Sequence, residues 1–111
     1  MKKYSIFILI AILLLGCTNQ FGREEFDEKI ANLEQSLNKE DWDVAKKQMD
    51  DLTNFYDHNL WKVQLVGGEG EYKDLYEAFG KLKVLIEEKD RTLSRMELET
   101  VKTLIDHIYS I

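Results

Sequence analysis

Proline is missing from all 111 residues, and cysteine occurs once, at position 17. Without proline nothing locks φ or removes a helix donor, which favours long uninterrupted helices. One cysteine excludes an intramolecular disulfide, so a domain of this size must be held by its own core. Basic residues are also in short supply: 15 lysines and arginines against 21 acids give a formal net charge of −6. A surface of that sign repels nucleic acid and anionic lipid headgroups, which argues against both as partners. No Gly-x-Ser-x-Gly element is present, and the one thiol has another use, argued next.

Only one long apolar run exists, from Tyr4 to Gly16, and its 13 residues fall short of a membrane span, which takes roughly 20. It has the size of a signal-peptide core, about 7–15 residues. Lys2 and Lys3 precede it, and Leu14-Leu15-Gly16-Cys17 closes it. This is the form of a bacterial lipoprotein signal. The lysines stay on the cytoplasmic side, Gly16 is small enough for cleavage before Cys17, and the Cys17 thiol accepts a diacylglyceryl group. The expected organisation is therefore a signal peptide over 1–16, a lipidated tether over 17–22, and a folded domain over 23–111. Loss of the signal removes two basic residues, leaving 13 against 21 acids and a formal charge of −8. Attachment to the outer face of the cell membrane is then expected through lipid, not through a basic face.

Beyond the tether the apolar residues recur at helical spacing. Phe26, Ile30, Leu33 and Leu37 form one stripe. Asn38-Lys39-Glu40-Asp41 reads as a turn with Asn38 as N-cap and acids in the following first turn. Trp42, Ala45, Met49, Leu52 and Tyr56 form a second stripe, expected to continue through Leu60 and Trp61 toward Val66. Gly67-Gly68-Glu69-Gly70 reads as a loop. A third stripe carries Tyr72, Leu75, Phe79, Leu82 and Ile86, with Gly80 in its middle as a point of close helix packing. Asp90 is the favoured N-cap of a fourth helix carrying Leu98, Val101, Leu104, Ile105, Ile108 and Ile111; Ser94 with Glu97 is the rival start. The halves echo each other at an offset of 49: Phe26, Ile30, Leu33 and Leu37 fall on Leu75, Phe79, Leu82 and Ile86, and Asp41 falls on Asp90. The expected fold is all-α, a small antiparallel bundle of about four helices made of two helical hairpins.

The segment "KEDWDVA" with Trp42 and Ala45, Trp61 before a short connector, and the runs "LYEAFGKLKVLIEEKD" and "ELETVKTLIDHI" carry a resemblance. Over about residues 26 to 110 the chain resembles a family of small bacterial membrane-attached proteins known only as a domain of unknown function. The resemblance implies an α-helical extracytoplasmic domain with no assigned activity.

Candidate chemistry is sparse. His58 and His107, each preceded by an aspartate, would form a weak metal site if the second and fourth helices packed together, but neither has a His-x-x-x-His partner. The acidic clusters lie on polar faces among lysines, without the calcium-loop pattern. The glycine-rich connector lacks the lysine-serine or lysine-threonine pair of a phosphate loop. No cofactor and no enzyme activity are expected. The aromatics Phe55, Tyr56, Trp61, Tyr72 and Tyr76 flank the connector, and adjacent Phe55 and Tyr56 cannot share a helix face. Some therefore either cap the end of the bundle or form an exposed patch that docks a partner, since tryptophan and tyrosine dominate binding hot spots. The leading expectation is a lipid-anchored extracytoplasmic interaction module that associates with another envelope or integral membrane protein. A lipoprotein holding a small apolar ligand and a metal-binding envelope protein are the alternatives.

Overall fold

The computed structural model describes residues 22–66 and 68–110. The expected signal segment, Gly16, Cys17 and the expected tether up to Phe21 lie outside the described residues, as do Gly67 and Ile111. Every regular element is a helix: α1 (Arg23–Asn38), α2 (Trp42–His58), α3 (Leu60–Val66), α4 (Glu69–Glu87) and α5 (Arg91–Tyr109).

The spacing of apolar residues sets which face each helix buries. Phe26, Ile30, Leu33 and Leu37 of α1 are all buried, as are Ala45, Met49, Leu52 and Tyr56 of α2. On the C-terminal half, Leu75, Phe79, Leu82 and Ile86 of α4 face Leu98, Val101, Ile105 and Ile108 of α5 in the same core. The four long helices form a ring in which α1 touches α2 and α5, and α4 touches α2 and α5; the diagonal backbones do not come within 8 Å of each other. A ring of this kind buries one stripe per helix and leaves the charged faces outside.

The two hairpin turns are built alike. The N–H of Glu40 donates to the carbonyl of Leu37 and that of Asp41 to Ser36; 49 residues on, Lys89 donates to Ile86 and Asp90 to Leu85. Each helix thus ends in a Schellman motif, with Glu40 and Lys89 both at φ 56° in the left-handed position. The residue that closes the motif also caps the next helix: the Asp41 carboxylate accepts from Val44 N–H and the Asp90 carboxylate from Leu93 N–H. Asp41, not Asn38, is therefore the N-cap, because Asn38 is still within α1. Asp90 likewise prevails over Ser94, which lies one turn inside α5. The offset of 49 seen in the sequence is a repeated hairpin, and the contacts of the ring carry one hairpin onto the other by an approximate two-fold rotation.

Three further expectations change. The second helix does not run straight to Val66. Asn59 leaves helical geometry at φ −109°, ψ 12°, and its side-chain amide donates to the Phe55 carbonyl at 2.9 Å. The Asn59 N–H still makes the regular helical bond to that carbonyl and also reaches the Tyr56 carbonyl in a tighter closing turn; the chain then restarts as α3, in which Val63 is fully buried. The glycine loop is shorter than its composition implies, since Gly68 is the N-cap of α4, Gly70 lies in its first turn, and the Glu71 carboxylate accepts from Gly68 N–H. Finally, Gly80 is not a point of close packing: a Cβ there meets nothing within 4 Å.

Candidate functional site

Five aromatic rings gather at one end of the bundle, where α1 begins and α2 and α5 end. Phe26 meets Phe55 edge-on at 4.8 Å between centroids, and lies 6.4 Å from both Tyr56 and Tyr109. Tyr56 in turn meets Phe79 edge-on at 5.2 Å. Edge-to-face pairs place the positive rim of one ring on the negative face of the next. The chain enters beside this cluster at Gly22, whose φ of 95° is backbone that glycine takes without strain, and a Cβ there would lie in ordinary contact with the Phe55 ring at 3.5 Å.

Around α1 the cluster is covered. Arg23 lies over the Tyr109 ring at 5.8 Å and Lys29 over Phe55 at 5.4 Å. Both cations are held in place by carboxylates, Arg23 by Asp106 and Asp27, Lys29 by Asp51 at 2.6 Å. Partial burial opposes the Arg23 charge, but the Asp106 hydrogen bond and the neighbouring carboxylates outweigh it and raise its pKa. Lys102 is raised in the same way, first by its hydrogen bond to Glu34, although burial opposes it.

The opposite side, between α2, α3 and α4, is open. An open groove of about 250 Å³ is lined by Tyr56, Asp57, Leu60, Tyr72, Lys73 and Tyr76. Its floor is Tyr56, almost wholly buried, whose hydroxyl donates to the Tyr72 carbonyl at 2.9 Å. Burial, with Asp57 nearby, pushes the Tyr56 pKa up to about 12, and burial does the same for Tyr109. Both phenols stay neutral at physiological pH. Tyr76 stands at the rim, 63% exposed.

The aromatics named from the sequence therefore divide. Tyr56 is core, Phe55 and Tyr72 are half-buried against it, and Trp61 and Tyr76 are exposed. Leu65, one turn after Trp61, is equally exposed and was not singled out from the sequence, because α3 read as a continuation of the preceding helix. Its signal was the apolar pair at i and i+4 on the side opposite Val63. The histidines are not brought together. α2 and α5 are diagonal in the ring, so the packing that would have joined His58 to His107 does not occur. Both are exposed, and the His58 Nδ1 lies 2.8 Å from the Asn54 carbonyl. No group of three or more metal-ligating side chains occurs among the described residues.

Fold and surface together define a small all-α domain, a repeated helical hairpin with an aromatic cluster at one end and an open groove on one side of it. Residues 22–111 match a domain of unknown function (DUF4363), and the chain belongs to that family. No curated protein and no solved structure matches it.

Proposed function

We propose that this chain is a lipid-anchored, extracytoplasmic interaction module without catalytic activity, held to the outer face of the cell membrane through Cys17. Its docking site is the groove between α2 and α4, and its partner is another envelope protein or an integral membrane protein. The observation that carries the reading is an exposed Tyr76 beside half-buried Tyr72 and Leu60, flanked by one acid and one base, Asp57 and Lys73. An aromatic anchor over a preformed apolar floor with a polar rim is the composition of a binding hot spot. The acidic surface elsewhere disfavours nucleic acid, and the basic segment before the apolar run supports export. An apolar ligand between the helices has less behind it, because facing stripes fill the interior and the grooves are open to solvent.

Photocrosslinking in the native host tests the proposal. A photoreactive side chain at Tyr76 should give a discrete protein adduct, while the same group at Lys39, at the opposite end of the bundle, should give none. Asp57→Lys, a charge reversal at the exposed rim of the groove, should weaken the adduct while leaving the protein folded and lipidated. Identical patterns from the two positions would refute the docking site.

A further inference from the structure

The aromatic end of the bundle is also the end nearest the proposed lipid. The chain enters α1 at Gly22, against Phe55 near the end of α2, and Cys17 is five residues earlier. A chain reaches at most about 3.6 Å per residue, so the lipid-bearing sulfur lies within roughly 18 Å of this end. α3 belongs to the same end. It follows α2 directly, precedes α4, and also touches α5, the diagonal neighbour of α2. A helix touching both members of a diagonal pair must cross the mouth of the ring. Its inward face is set by Val63, fully buried, and Leu60, packed on the core. Trp61 and Leu65 lie on the other face, 60% and 66% exposed.

We propose that α3 is a second point of membrane contact, laid flat on the bilayer with Trp61 and Leu65 at headgroup depth; this rests on lipidation of Cys17. Three observations favour lipid as the occupant of this face. Trp61 and Leu65 are one turn apart on a helix of about 10 Å, a footprint suited to a plane and not a cleft. Tryptophan, with an apolar body and one N–H donor, suits the boundary between hydrocarbon and water. The tether limits how far the face can be from the headgroups. Two side chains would not hold a free protein to a membrane, but a short tether raises the effective concentration to about millimolar, where weak contacts are occupied. Charges of both signs occur at this end, with Asp27 and Asp106 held by Arg23 and Asp57 facing the same groove as Lys73, so the contact is carried by apolar side chains and suits zwitterionic headgroups. Seating α3 on the bilayer turns the Tyr76 groove sideways, next to the membrane plane, where an integral partner is within reach.

Fluorescence of the full lipidated protein in phosphatidylcholine vesicles tests this, because only two tryptophans are present. Trp42 starts α2, at the far end of the bundle, and serves as the internal control. Lipid brominated on its acyl chains should quench most of the Trp61 emission, and Trp61→Phe should remove the quenchable fraction without changing the circular dichroism. An intact mass showing no lipid on Cys17 would refute both the anchor and this inference. Lipidated protein whose emission is quenched equally in wild type and Trp61→Phe would refute the inference alone. Trp61 shielded from acrylamide in host membranes, yet unquenched in pure lipid, would overturn it in favour of a protein on this face.

Discussion

Ser94 is the residue at which the two hairpins differ most tellingly. It is fully buried, and its hydroxyl finds no hydrogen-bond partner among the described residues. Its counterpart 49 residues earlier, Ala45, is also fully buried and has no hydroxyl to satisfy. Leaving a buried polar group unpaired costs about 1–3 kcal/mol. Ser94→Ala should therefore stabilise the domain by about 1 kcal/mol, seen as a higher denaturant midpoint with unchanged m-value. The reciprocal Ala45→Ser should destabilise it. At this scale the sequence was a good guide to burial, because spacing on a helix fixes which residues face the core. It could not assign the aromatics one by one. Phe55 and Tyr56 are neighbours in the chain, and only the position of Phe26 and Tyr72 decides that Tyr56 lies inside while Phe55 is half covered.

Among the elements, the hairpin turns carry the clearest lesson. Glu40 and Lys89 occupy left-handed backbone at φ 56°, where a Cβ is strained and glycine is not. Relief of that strain, less the extra freedom glycine gains when unfolded, leaves a net stabilisation of about 0.5–1 kcal/mol. Glu40→Gly and Lys89→Gly should each raise the melting temperature by a few degrees, and by similar amounts, because the two turns make the same hydrogen bonds. A rise in only one of them would show that the turns are not equivalent in solution. The strong N-cap aspartates were legible, but the register of the first turn was not. Asn38 and Asp41 are both good caps, and the choice was made by the Schellman closure onto Ser36. The break at Asn59 was missed for a related reason. Asparagine is tolerated inside helices, so the residue type alone does not mark the end of α2, and the burial of Val63 belongs to the short helix that follows.

For the molecule as a whole, the two-fold arrangement makes a prediction about connectivity. Gly22 and Ser110 lie at the same end, since Arg23 pairs with Asp106 and Phe26 packs near Tyr109. A circular permutant of the folded domain, joined from Ser110 to Gly22 by a short glycine-serine linker and opened before Gly68, should retain its helical circular dichroism and melt cooperatively. Loss of cooperative melting would mean that α3 must be covalently continuous for the ring to close. The proposed docking groove and membrane face both belong to this scale. The groove combines side chains of α2, α3 and α4, so spacing along one helix does not assemble it, whereas the Trp61 and Leu65 pair lies on α3 alone and becomes legible once that helix is set apart from α2.

The sequence by itself determined the four long helices, their buried stripes, the repeat and the acidic surface, because these follow from the 3.6-residue period, the absence of proline and the balance of charge. It also supplied Cys17 as the proposed lipidation site, a proposal that rests on the local context of the preceding residues alone. Only the tertiary structure decided which helices are neighbours and which are diagonal, and so parted His58 from His107 and carried α3 across the mouth of the ring. Helical period specifies a face, whereas the partner of that face is chosen by packing all four stripes into one core.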